Sequence, residues 1–331
     1  MPRSRRAVAV VAAIAALAAG VTVAGALVQG ADTGGEVHGQ TATGEAAGRE
    51  PPALELAIVD RDDREARALR TAERLYDEGE RRAARRRFEA LSAENPNSVE
   101  AAVGAAVAGW PKRTVARLET IVDRHPESAV ARLNLGLALV AERDLDSARR
   151  QWREAERRDP DTAAAQRADD LLHTDSPPGR PRLVLATFPR ELARVSAGKR
   201  IAAARRRARH GGAGDWLFFG AVLESAGRRI SAQRAYDRAV ALDPRSLEAR
   251  VGGALARFDK DDPSATFSRL GPLAGRHPRS ALVRFHLGLA LLWLPNLREA
   301  RRQLALARDG DPDGFYGRQA ARILTRLPDA E

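Results

Sequence analysis

The sequence contains no cysteine and one methionine, and aromatic residues make up only 5% of its 331 residues. Without cysteine the chain has no disulfide staples, no thiolate metal ligands and no cysteine nucleophile. The six histidines show no metal-ligand spacing, and no Gly-x-Ser-x-Gly, glycine-rich phosphate loop or His-Glu-x-x-His is found. Dense carboxylates such as Asp259, Asp261 and Asp262 fall at predicted helix starts or loops, where capping explains them. The sequence therefore predicts a protein that is not an enzyme and holds no cofactor or metal.

Lysine is scarce as well, because Lys112, Lys199 and Lys260 are the only lysines in a chain with a formal net charge of +11. Most arginines alternate with acids, as in residues 149–158, which is typical of a solvated helix face. Two clusters are less mixed, and they could contact anionic lipid or cell-wall polymer electrostatically or simply be solvated. They consist of Arg81, Arg82, Arg85, Arg86 and Arg87, and of Lys199, Arg200, Arg205, Arg206, Arg207 and Arg209. Since no aromatic interleaving or reader motif accompanies them, we expect no nucleic-acid partner.

One long run lacks charge altogether, at residues 7–28, and it follows Arg3, Arg5 and Arg6. Its 22 residues are enough for a helix that spans a bilayer, and the flanking charges place the N-terminus in the cytoplasm. We therefore predict a signal anchor at residues 1–29, a flexible linker at 30–52 and a single-pass protein of the cytoplasmic membrane. The rest of the chain would lie outside that membrane. Cleavage after about Gly30 and secretion is the alternative.

Proline returns at a fixed period of 34 residues, from Pro126 to Pro160 and from Pro244 through Pro278 to Pro312. Small and large residues recur in phase before three of these prolines. The three sets are Gly136, Ala148, Trp152, Ala155 and Pro160; Trp216, Gly220, Ala232, Tyr236, Ala239 and Pro244; and Gly288, Ala300, Leu304, Ala307 and Pro312. A period of this length is typical of stacked helix pairs. The small residues let two antiparallel helices approach closely, and the proline ends the second helix.

This pattern resembles the tetratricopeptide repeat (TPR), and the chain is similar in plan to membrane-anchored or exported bacterial TPR proteins. The resemblance implies an all-α solenoid of helix-turn-helix units. Hydroxyl residues two positions after Pro96, Pro126, Pro160, Pro244 and Pro278 are expected to cap the next helix, and the permissive Gly314 takes this position after Pro312. The hydroxyl residues are Ser98, Ser128, Thr162, Ser246 and Ser280.

A second periodicity relates the two halves of the chain. Residues 124–139 reappear as 276–291, and residues 98–104 match 246–252. We therefore predict two related three-repeat arrays, at 53–173 and 197–327, each closed by a lone helix near 163–172 and 315–327. The inter-array linker is predicted at 174–196, where Thr-Asp-Ser-Pro-Pro-Gly interrupts any helix.

In the family that the sequence resembles, the first helix of each pair lines a groove that takes a partner. The matching residues are Val103, Val107, Trp110, Leu133, Leu137, Val140, Val251, Leu255, Phe258, Phe285, Leu289 and Leu292. Because they are apolar, we expect an amphipathic helix or an apolar peptide as the protein partner. Burial within the superhelix or by self-association is the alternative. The resulting hypothesis is a membrane-tethered, extracytoplasmic scaffold that helps to assemble a cell-envelope complex. The other hypothesis is a secreted or surface-associated module that binds anionic lipid or wall polymer.

Overall fold

The computed structural model describes residues 50–294 and 296–327, and sixteen α-helices and no strand are found in that part of the chain. The first seven helices are α1 (Arg64–Asp77), α2 (Arg81–Glu94), α3 (Val99–Ala108), α4 (Thr114–Arg124), α5 (Ala129–Ala141), α6 (Leu145–Arg158) and α7 (Ala163–Leu172). The other nine are α8 (Arg190–Ala193), α9 (Ala197–His210), α10 (Ala213–Ser225), α11 (Arg229–Leu242), α12 (Leu247–Leu255), α13 (Ser264–Arg276), α14 (Ala281–Leu291), α15 (Leu297–Gly310) and α16 (Phe315–Leu324). The all-α prediction is confirmed for these residues.

The helices pack as a solenoid. Successive helices within each array contact one another, and the first helices of the pairs also pack side by side: α1, α3, α5 and α7 in one series, and α10, α12, α14 and α16 in the other. No described helix is both long enough and apolar enough to cross a membrane. The predicted anchor at 1–29 and most of the predicted linker at 30–52 lie outside the described residues.

The predicted caps start the first helices. Each of five hydroxyl side chains accepts a hydrogen bond from the backbone N–H three residues further along: Ser98, Ser128, Thr162, Ser246 and Ser280. These bonds satisfy backbone donors that have no partner within the first turn of a helix. The placement of the repeat boundaries from the prolines and caps is therefore confirmed at these helices.

Glycine allows close approach inside the helix pairs. A Cβ atom at Gly136 would overlap the indole ring of Trp152, and one at Gly220 would lie 2.6 Å from the ring of Tyr236. At Gly288 the added atom would lie 2.8 Å from Leu304. The large partners fill the space that the missing side chains leave, so each pair is close-packed where its helices cross.

The second array continues directly from the first. Asp161, just before α7, accepts hydrogen bonds from the backbone N–H (3.0 Å) and the hydroxyl (2.5 Å) of Ser231 in α11. A buried ion cluster also joins the two arrays, and in it the Lys260 ammonium is 2.6 Å from Asp170 and 3.4 Å from Asp169. The Arg180 guanidinium lies 3.0 Å from Asp169. Polar and charged contacts therefore fix the two arrays against each other.

Candidate functional site

Two extended segments lie across the first helices of the two arrays. The first strap is residues 52–57 and the second strap is residues 181–186, and neither segment is helical. In the first strap, Leu54 and Leu56 are 5% and 2% exposed, while Glu55 between them is half-buried. In the second strap, Leu183 and Leu185 are 1% and 7% exposed. Each strap thus places two leucines in the apolar core of its own array.

Asn134, in α5, holds the backbone of the first strap. Its Oδ1 accepts a hydrogen bond from the Glu55 N–H at 3.0 Å, and its Nδ2 donates to the Glu55 carbonyl at 2.8 Å. The same Nδ2 donates to the Val130 carbonyl, which fixes the amide in α5. The Glu55 carboxylate pairs with Arg167 of α7 at 2.7 Å. Because Asn134 contacts only backbone groups of the strap, this recognition does not depend on the side chain at position 55.

Helix α1 provides two further hydrogen bonds to the first strap. The Leu56 N–H donates to the Glu73 carboxylate at 2.9 Å, and the Tyr76 hydroxyl donates to the Pro52 carbonyl at 2.5 Å. Burial raises the pKa of Glu73 and raises the pKa of Tyr76 to about 12. Tyr76 therefore stays protonated and remains a hydrogen-bond donor at neutral pH.

The second strap is held in the same manner. The Leu183 N–H donates to the Glu224 carboxylate at 3.1 Å, and the Val184 N–H donates to Nε2 of His286 at 2.9 Å. The Tyr316 hydroxyl donates to the Val184 carbonyl at 3.1 Å. Side chains from three first helices (α10, α14 and α16) therefore hold the backbone of the second strap, whereas two (α1 and α5) hold that of the first.

His286 occupies the position in α14 that Asn134 occupies in α5, since the repeated segments 124–139 and 276–291 align them. The ring is fully buried, and its Nδ1 lies 2.8 Å from the Leu282 carbonyl, which can only accept. Nδ1 therefore carries the proton, and the unprotonated Nε2 accepts from Val184. Burial lowers the pKa of His286 to about 4, so the ring is neutral at physiological pH.

Glu224 is the buried carboxyl group that accepts from the Leu183 amide in the middle of the second strap. Burial raises its pKa to about 7, and its Oε2 also accepts from the hydroxyl of Tyr236 at 2.9 Å. The same burial raises the pKa of Tyr236. One backbone amide of the second strap is thus held by a carboxyl group that is protonated far more readily than an exposed glutamate.

Ten of the twelve predicted groove residues are buried within the chain. They are Val103, Val107, Trp110, Leu133, Val251, Leu255, Phe258, Phe285, Leu289 and Leu292. Leu137 is half-buried, and Val140 is 42% exposed. Leu54 and Leu56 share a buried cluster with Val103 and Val107, so the first strap itself covers these groove residues. Partner binding by these residues stays a prediction.

Neither the straps nor the polar side chains that hold them were predicted. A signal for them exists in the sequence, because Pro-x-Leu-x-Leu-Ala occurs at both 52–57 and 181–186. A second signal is the single Asn134 or His286 within an otherwise apolar stretch of first helix. A buried polar side chain needs a hydrogen-bond partner, so each of these residues indicates a backbone segment that crosses the helix there.

The first arginine cluster lies on the exposed face of α2. Arg85 pairs with Glu89 at 2.7 Å, whereas four exposed arginines form no ion pair with any described residue. These four are Arg81, Arg82, Arg86 and Arg87. Four cations within two turns of one helix give this face a strongly positive potential.

The second cluster is partly used within the fold. Arg200 is buried and donates to the carbonyls of Leu192 (3.0 Å) and Val195 (2.9 Å), so it holds the segment before α9. Arg207 pairs with Glu191 and Asp215. Lys199, Arg205, Arg206 and Arg209 remain exposed. Within residues 50–294 and 296–327, no group of three histidines or acids is arranged to hold a metal.

Comparisons with known proteins bear on the repeats. Residues 111–163 match the family model described as tetratricopeptide repeat. Similar solved structures are yeast Tom70 (14% identity, TM-score 0.34), Naa15/Naa10 bound to HypK-THB (16%, 0.29) and the APC/C hetero-tetramer Cut9–Hcn1 (16%, 0.28). The matches cover 79%, 79% and 80% of this chain and 65%, 51% and 56% of those chains. This chain thus spans less than two thirds of their lengths, and no curated protein matches its sequence.

Proposed function

We propose that this chain, which contains tetratricopeptide repeats, is a scaffold for protein–protein interaction. The observation that carries the proposal is the way the first array holds an extended segment. Asn134 pairs with both backbone groups of Glu55, and Leu54 and Leu56 enter the apolar core. A surface that hydrogen-bonds the backbone of a segment and buries every second side chain is suited to bind an extended peptide. Within the described residues, no arrangement of side chains suggests catalysis.

The finer proposal is that the scaffold is tethered to the bacterial cytoplasmic membrane and positions an envelope complex outside it. Its support comes from the sequence alone: the uncharged run at 7–28 follows three arginines. Fractionation of intact cells, with identification of the N-terminal residue of the protein, tests this proposal. We expect the membrane fraction to hold a chain that retains residues 1–30. A chain that begins near residue 31 and is found outside the membrane would support secretion instead.

Accessible residues on the groove side allow a test of partner binding. Val140 is the one predicted groove residue that is largely exposed, at 42%, and Leu306 of α15 has a matching exposure of 41%. We expect Val140→Glu to reduce the amount of the partner that co-purifies with the full chain, and Leu306→Glu to leave it unchanged. Both variants should stay folded, because neither substitution buries a charge. Equal retention of every co-purifying protein by both variants would contradict partner binding at this edge of the groove.

The α2 face supports a second candidate, contact with an anionic surface, because Arg81, Arg82, Arg86 and Arg87 are exposed and form no ion pair with a described residue. Binding of the full chain to anionic vesicles should then weaken sharply between about 50 and 300 mM salt, since such contacts are screened. Replacing these arginines by glutamine should remove it. Binding that ignores both changes would exclude the α2 face as the contact.

A further inference from the structure

We propose that the groove of the first array is a receptor site for a partner's extended segment of the Pro-x-Leu-x-Leu-Ala class, which replaces the first strap. The inference rests on the proposed scaffold function and specifies the partner's chemistry. It follows from the two straps: what each array holds, how it is held, and how differently the two straps are connected to the fold.

The two straps together define what a groove of this kind selects. Pro52-Ala-Leu-Glu-Leu-Ala57 and Pro181-Arg-Leu-Val-Leu-Ala186 share the proline, both leucines and the final alanine. All four leucines are buried, and equivalent positions of α5 and α14 bond the backbone of the residue between them. The residues between, Glu55 and Val184, have nothing in common chemically. The groove therefore selects two leucines and a backbone amide, and it tolerates different side chains at the position between the leucines.

The connections of the two straps differ. The second strap is bounded on both sides by described structure, from α7 before it to α8 after it. The first strap is joined to the described fold only through residues 58–63, which lead into α1. We therefore expect the first strap to leave its groove by rotation at this short connection, without displacement of a helix of the array. The second strap is connected to described helices at both ends and lacks this freedom.

The first strap also fits its groove incompletely. A cavity of about 350 Å³ remains beside its carboxyl end, lined by residues that include Ile58, Val99, Val130, Thr162 and Arg228. The strap bends at Ala57, whose φ of +53° lies in the left-handed region that an L-alanine rarely adopts, and residues 57–61 line one side of the cavity. A partner segment that continues in an extended conformation would avoid this turn and fill the cavity. Because the lining also includes the charged residues Glu100 and Asp159, we expect the partner to continue beyond its second leucine with residues that suit a mixed apolar and charged surface.

The partner must compete with a segment that is held in the same chain. A short tether corresponds to an effective concentration on the order of millimolar, so a free peptide should bind the unmodified chain weakly. Weakening the strap should reveal the site. We therefore use full-length Leu54→Ala/Leu56→Ala, with Leu242→Ala as the control, because Leu242 is 43% exposed on α11 and remote from the straps.

The probe is a fluorescent peptide of residues 50–60, and its binding is measured by anisotropy. We expect the double variant to bind it at least tenfold more tightly than the wild type or the Leu242→Ala control. A peptide with both leucines replaced by alanine should not bind, and adding Asn134→Ala to the double variant should weaken binding at least tenfold. Absence of binding to the folded double variant, or equal binding of a scrambled peptide, would overturn the proposal.

Two further measurements keep the test independent of how well the variant folds and of the scaffold function. On the unmodified chain, millimolar peptide should accelerate hydrogen exchange at the Leu56 amide, and unchanged exchange would count against displacement. Measurement of the mass of the wild type in solution should show no dimer that the peptide dissociates. Such a dimer would show that a second copy of this chain occupies the groove, and it would overturn the proposal of a different partner. If the peptide fails to bind while Val140→Glu still loses its co-purifying protein, this proposal is wrong and the scaffold function stands.

Discussion

Replacing Asn134 by alanine is the most informative change to the first array. The side chain is fully buried and makes two hydrogen bonds to Glu55, at 3.0 and 2.8 Å, besides the one to Val130. Each such bond contributes about 1 kcal/mol net, and a stranded, partly buried N–H adds to the loss. We therefore expect Asn134→Ala to lower the free energy of unfolding by about 2–3 kcal/mol. Urea denaturation of the full chain, followed by tryptophan fluorescence, measures this change.

The second array suggests a variant with an intermediate effect on stability. Asn134→His introduces the side chain found at position 286, which can accept from the Glu55 N–H but cannot also donate to its carbonyl. The expected loss is about 1 kcal/mol, between the wild type and alanine. Asn97→Ala, in an exposed turn, is the matched control and should change the stability by less than about 0.5 kcal/mol. If Asn134→Ala costs no more than Asn97→Ala, the first strap is not held as described.

Three further predictions concern packing, pH and the ion cluster. Gly136→Ala should lower the free energy of unfolding by about 1–3 kcal/mol, because the new methyl group overlaps the indole ring of Trp152. Gly275→Ala, with no atom within 4 Å of the new methyl group, should raise it by up to about 1 kcal/mol. Thermal unfolding measures both changes, and equal effects would refute the close packing. Because the pKa of His286 falls to about 4 on folding, the unfolded chain binds this proton more readily, so the His286 contribution to stability should be complete above about pH 6.5 and fall towards pH 4 by roughly 3 kcal/mol. The raised pKa of Glu224 acts in the opposite direction in both proteins, so the test is the difference between them: denaturation at several pH values should show the wild type losing about 3 kcal/mol relative to His286→Asn as the pH falls from about 6.5 to about 4. Lys260→Met should lower the free energy of unfolding by about 3–5 kcal/mol, because the largely buried Asp170 loses its cation while Asp169 keeps Arg180. Lys112→Met, at an exposed position, should change it very little, and similar denaturation midpoints for the two variants would contradict a structural role for the cluster.

Local signals were sufficient to predict the helices and their boundaries. The hydroxyl caps start the first helices as predicted. These features depend on residues within a few positions of one another, which is why sequence reasoning identifies them. The tetratricopeptide repeat was predicted from the same pattern, and it is confirmed by the family match over 111–163.

The straps depend on contacts that no local pattern contains. Glu55 and Asn134 are 79 residues apart, and Val184 and His286 are 102 apart. Extended segments without a neighbouring strand show no period of their own, so residues 52–57 resemble a linker until their partner in the groove is known. Arg200 illustrates the same limit for charge, since it belongs to a basic cluster in the sequence and is buried against backbone carbonyls in the fold.

Residue-resolved hydrogen–deuterium exchange of the full-length protein tests most directly whether the straps occupy the grooves. If the straps occupy the grooves, the amides of Leu183 and Val184 should be protected as strongly as the surrounding helices, with the exposed Thr187 as a fast internal reference. Protection at Leu56 should be intermediate if the first strap leaves its groove while α1 stays folded. Exchange of all three strap amides at the rate of Thr187, with the helices still protected, would contradict the account.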